Sequence, residues 1–150
     1  MADAGSDSSG PAPAYAWIIL TLLGMVLALS AVYILSTGMD PSDFEGATAL
    51  EWDTFNRSYP EVGIYLMRLE RLTGAVMLGF ALFAAMVSYG PFRRGNRWAW
   101  ATLWIVPLAL GLVTGVFLTH GAGELGGFYG GLAVLVVLML VLPYRAFFPR

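Results

Sequence analysis

The chain contains no cysteine, no lysine and a single histidine, and each absence closes off a chemistry. Without cysteine there is no disulfide, no thiolate metal ligand and no thiol redox couple. That excludes the small four-helix membrane enzymes that exchange disulfides with quinones. One histidine, His120, cannot supply the paired axial ligands of a bis-histidine haem, nor the histidine-rich di-iron cluster of a desaturase. The missing lysine leaves all eight basic residues as arginine, which fits a GC-rich bacterial or archaeal coding bias. Glycine is plentiful, but no GxGxxG follows a strand pattern and no GxxxxGK[ST] loop occurs, so nucleotide binding is not expected. Charge is sparse too, at 12% of residues against 58% hydrophobic, which leaves little sequence for a soluble domain.

What fills the chain instead is four charge-free stretches, at about 15–38, 72–92, 98–119 and 125–144. Each supplies the roughly 20 apolar residues that a helix needs to cross a hydrocarbon core. Leu, Val, Ala, Phe and Gly run on without strand alternation, so the expected fold is all-α: an integral membrane four-helix bundle, up-down-up-down. Residues 1–13, MADAGSDSSGPAP, are small, polar and Pro-containing and are expected to form a disordered tail. Residues 14–150 then make a single transmembrane domain. The tail has no basic n-region and the first span is long for a signal h-region, so a retained anchor is expected rather than a cleaved leader.

Charge sets the expected orientation. The connection PFRRGNR carries Arg93, Arg94 and Arg97, and the C-terminal segment adds Arg145 and Arg150. By the positive-inside rule these segments, and both termini, belong in the cytoplasm. The protein is thus read as a multi-pass protein of the inner (plasma) membrane of a bacterium or archaeon. The first loop carries Asp40, Asp43, Glu45, Glu51, Asp53 and Glu61 against Arg57 and is expected outside. Within it Pro41-Ser42-Asp43 marks a helix start, and Ala47 to Arg57 predicts a short amphipathic helix with Leu50, Trp52 and Phe55 turned toward the membrane. Pro60 ends that helix, and the second span is expected to begin near Glu61.

Small residues at helical spacing mark faces able to pack closely in lipid. Thr21, Gly24, Ala28 and Ala31 share one face of the first span, and Gly74, Ala81, Ala85 and Ser88 one face of the second. Gly111 and Gly115 form a GxxxG in the third, and Gly126, Gly127, Gly130 and Gly131 cluster at the start of the fourth. Packing within the bundle or self-association explains the GxxxG equally well. Pro107 removes a backbone hydrogen bond and predicts a kink in the third span. Trp17, Trp98, Trp100 and Tyr144 read as interfacial anchors.

The candidate ligand-binding residues are Glu70, Arg71, His120, Glu124 and Tyr129. Glu70 shares a wheel face with Gly74, Ala81 and Ala85, and a carboxylate near the membrane needs a partner or a proton. Arg71 and His120 are the expected partners, with Glu124 and Tyr129 completing a polar patch around HGAGELGGFYGG. Such a patch serves either as an outward-facing pocket for a ligand head group or proton, or as an ion pair locking the second span to the third and fourth. Neither catalytic nor metal-binding residues are assigned, and no cofactor is expected. The RRGNR segment faces anionic lipid head groups rather than nucleic acid.

Pro60, Arg71 and Gly74, followed by Arg93-Arg94-Gly95 and Trp98-Ala99-Trp100, resemble a group of prokaryotic four-span proteins similar to the DoxX-like superfamily. The similarity runs from about Trp52 to the end of the third span. DoxX is associated with a thiosulfate:quinone oxidoreductase complex, so the resemblance implies a four-helix bundle acting as a partner subunit. The lack of cysteine argues against a sulfur redox role. The expected function is therefore a non-catalytic accessory or assembly subunit of a membrane complex, partnered by lipids and by other subunits or a second copy. The alternative is a carrier for a lipid, quinone or other apolar ligand.

Overall fold

A computed structural model describes residues 14–119 and 123–148. These form α1 (Ala14–Thr37), α2 (Pro41–Thr48), α3 (Trp52–Ser58), α4 (Pro60–Val87), a π-helical turn (Ser88–Phe92), α5 (Arg97–Leu103), α6 (Ile105–Thr119), α7 (Gly123–Val141) and α8 (Tyr144–Phe147). No strand occurs among the described residues. Four helical segments, 15–37, 60–92, 97–119 and 123–141, are long and apolar enough to cross a membrane. Their packing is that of a membrane protein, with small side chains inside and large ones outside. Ala31, Ala81 and Ala85 are buried while Leu29 and Met86 are 70% and 73% exposed, because helices that gain nothing by hiding Leu from lipid pack through close backbone approach.

The spans associate as two antiparallel pairs, α1 with α4 and α6 with α7. Gly24 and Gly74 set the first pair. A Cβ on Gly74 would lie 2.7 Å from the Leu35 nitrogen, and one on Gly24 would lie 2.9 Å from the Ala85 Cβ. In the second pair the close approaches fall on Gly126, against Leu118, and Gly130, against Thr114. Gly111, Gly115, Gly127 and Gly131 lie instead on the exposed surface, where a Cβ would meet no atom within 4 Å. Packing within the bundle is therefore not what occupies these four positions.

The pairs meet mainly at the end carrying Arg93, Arg94, Arg97 and Arg145, called here the arginine end. Their shared core contains Ala16 and Leu20 of α1, Ala84 and Val87 of α4, Leu103, Val106 and Leu110 of α5 and α6, and Val136, Met139 and Leu140 of α7. Phe92 and Phe147, both fully buried with ring centroids 4.8 Å apart, close it. The third span breaks at Trp104, between α5 and α6. Pro107 is the cause: it offers no N–H to the Leu103 carbonyl and its ring crowds that oxygen.

The loop differs from the single helix expected over 47–57. Ala49 takes a left-handed conformation (φ 57°) that ends α2, and α3 starts afresh at Trp52. The break folds Trp52 back on Phe44, ring centroids 4.9 Å apart, and buries both. Trp52 thus faces the loop's own core, and Leu50 is exposed at the bend. The tail, 1–13, lies outside the described residues.

Candidate functional site

At the opposite, loop end, α1 stops at Gly38, whose positive φ of 77° suits a residue without a side chain. Its amide donates to the Ile34 carbonyl at 2.8 Å. The Arg71 side chain lies over it, with Nε 3.4 Å from where a Gly38 Cβ would be. Arg71 thereby places a cation beside the negative end of the α1 dipole. Glu70 is half-buried, one turn before Gly74 on the α4 face that carries Gly63, Ala81 and Ala85.

The remaining candidates belong to the other helix pair. Glu124 is exposed in the first turn of α7. Tyr129 is half-buried, its ring stacked on Phe117 at 5.5 Å with planes 2° apart. Because α4 packs on α1 and α7 on α6, Glu70 and Arg71 form one group and Glu124 and Tyr129 another. His120 lies outside the described residues.

Two features go beyond the sequence reading. The first is an arm, whose start near Glu61 was expected and whose bracing by the loop was not. From Pro60 to Phe92 the helix runs 33 residues, about 50 Å at 1.5 Å per residue, whereas a hydrocarbon core is about 30 Å thick. Since the end of α1, at Gly38, lies against Met67 and Arg71, the segment from Pro60 to Leu66 continues about 10 Å past it. Against the arm packs α3, so closely that the Asn56 side chain occupies the place of a Cβ on Gly63. Phe55 links Phe44 to Tyr59, with ring centroids 4.8 and 5.6 Å away.

Polar side chains fasten the same unit. Trp52 N–H donates to Glu45 Oε1 at 3.1 Å, and Thr54 Oγ1 to Glu51 Oε2 at 2.7 Å. Asp40 caps α2, accepting from the Ser42 amide at 2.9 Å and the Ser42 hydroxyl at 2.7 Å. Those two hydrogen bonds, the hydroxyl's first, hold the Asp40 carboxyl below the usual carboxylate range. The arm leaves Val62, Ile64 and Tyr65 46–63% exposed, beside exposed Glu61. Beside them an open groove of about 350 Å³ is lined by Ser58, Tyr59, Pro60, Glu61 and Val62.

The second feature is an arginine–aromatic layer at the arginine end. Trp100 Nε1 donates to the Leu140 carbonyl at 2.8 Å, and Arg97 Nε to the Phe147 carbonyl at 3.0 Å. The first bond ties the third span to the fourth and the second ties it to α8. Trp100 also meets Trp104, Tyr144 and Phe148 edge-on at 5.3–5.7 Å. Arg93 lies over Trp17, 4.8 Å from the ring centroid, and near Tyr89 at 5.8 Å, tying the first span to the second. Tryptophans expected only as anchors are thus the ligatures of this end. The signal was present in the Arg-aromatic interleaving of 89–104, but an interfacial belt gives the same pattern. Comparison with family models, with curated proteins and with solved structures finds no match to this chain.

Proposed function

We propose that this protein is a non-catalytic accessory subunit of a membrane complex, oriented with the arginine end in the cytoplasm and the arm outside. One observation carries the reading: a helix continuing beyond its partner, braced by α2 and α3, that keeps Val62, Ile64 and Tyr65 exposed past the end of α1. An apolar surface of this kind outside the bilayer marks a protein contact. The brace accounts for its rigidity, and the acidic residues around it favour a partner face with basic residues. The expected likeness to DoxX-like partner subunits points the same way; the charge distribution supports the orientation, and the all-arginine basic set supports the inner membrane of a prokaryote as its location.

A carrier role is the second reading, favoured by one observation. The core common to both helix pairs is concentrated toward the arginine end, so an apolar ligand would enter between the pairs from the loop end, past Tyr129 and Phe117. Native mass spectrometry of the protein extracted in mild detergent from its host separates the two. A stoichiometric complex with another protein is expected. A free bundle that carries a defined lipid, quinone or pigment overturns the subunit reading in favour of the carrier.

A further inference from the structure

We infer that Arg93, held against Trp17 and Tyr89, is a binding site for the phosphate of an anionic phospholipid. The argument starts from charge. No Asp or Glu occurs between Glu70 and Glu124 or after Glu124, and none lies within α1. The described residues of the arginine end therefore carry Arg93, Arg94, Arg97 and Arg145 with no carboxylate to balance them. A counter-charge has to come from elsewhere, and lipid phosphates lie at this depth, where the apolar spans end.

Orientation singles out Arg93 from the four. Arg97 gives its Nε–H to the Phe147 carbonyl and packs its guanidinium over Phe148 at 5.4 Å. All four are exposed, and among the described residues no ring orients Arg94 or Arg145. The Arg93 guanidinium alone in this group is positioned by two rings, which themselves meet edge-on at 5.9 Å and 71°. Stacking engages the guanidinium's face and leaves its in-plane N–H donors available. Among the described residues no acceptor takes them. A pre-oriented fork of this kind matches two phosphate oxygens and loses less side-chain entropy on binding than a free arginine does. Below it, exposed Tyr89 and Met86 offer an apolar wall to acyl chains.

The test is native mass spectrometry of the full-length protein in detergent, titrated with phosphatidylglycerol or phosphatidylcholine. Wild type is expected to retain one phosphatidylglycerol in preference to phosphatidylcholine. Arg93→Gln should weaken that preference about tenfold, the loss of a charged bidentate contact, while Arg94→Gln leaves it within twofold. Tyr89→Leu, a substitution at an exposed position, should weaken it several-fold with Arg93 intact and serves if Arg93→Gln does not fold. Equal losses for Arg93→Gln and Arg94→Gln would show diffuse attraction and overturn the site. So would displacement of the lipid by millimolar inorganic phosphate, or a rise in lipid retention in the Asp3→Asn, Asp7→Asn double variant, which would make the N-terminal tail the resident counter-charge.

Discussion

Two tryptophans one turn apart show how much a single donor counts in this molecule. Trp100 Nε1 has the Leu140 carbonyl at 2.8 Å, whereas the buried Trp104 Nε1 has no partner among the described residues. Burying an indole N–H without an acceptor costs more than a satisfied bond contributes. Trp100→Phe should therefore destabilise the protein by about 1–2 kcal/mol, orphaning the carbonyl and cutting a tie between the third and fourth spans. Trp104→Phe keeps most of the ring and removes the unpaired donor, so its effect should be near zero or stabilising. Thermal unfolding in detergent, followed by the remaining tryptophan fluorescence, measures both, and equal losses would contradict the assignment. Nothing in the sequence separates these residues, because both fit an aromatic belt and only the path of α7 decides which donor meets a carbonyl.

At the scale of elements, the spans were legible because length and apolar content alone decide whether a helix fits a bilayer. The break near Pro107 was legible too, since a missing N–H acts locally whatever the neighbours are. Glycine faces were not, because periodicity shows that a face is able to pack and says nothing of what packs there. Gly74 and Gly111 look alike in sequence, yet the first meets the α1 backbone and the second meets no atom within 4 Å. Gly74→Ala should accordingly force α1 and α4 apart and cost about 1–3 kcal/mol, the usual penalty of overpacking. Gly111→Ala and Gly127→Ala should be tolerated and, by helix propensity, each favour the helix by up to ~1 kcal/mol. Detergent melting temperatures of the three variants provide the check. A marked drop for Gly111→Ala would mean that another chain packs on that face.

The candidate polar site was only half legible, for a reason that concerns the whole molecule. A helical wheel puts Glu70 on the face of Gly74, but a wheel cannot say which pair a helix joins. The structure divides the four described residues of the patch between two helix pairs. It joins Arg71 to the end of α1. The loop, read from sequence as one membrane-facing helix, became a brace because Ala49 turns the chain and Trp52 finds Phe44, a contact that no local pattern announces.

The brace makes the arm a testable unit. Val62→Glu and Tyr65→Glu replace exposed residues that the fold does not bury, so monomer stability should change by less than about 0.5 kcal/mol. A charge set into a desolvated contact is costly, however. Either variant should release the partner protein from the complex isolated in mild detergent, at least tenfold by quantitative co-purification from the native host. Thr54→Ala, which removes a hydroxyl from the far side of α3, should not. Release by neither glutamate variant, in protein that still melts as wild type does, would place the subunit's contacts inside the membrane and leave the exposed faces of Gly111, Gly115, Gly127 and Gly131 as the surface to substitute next.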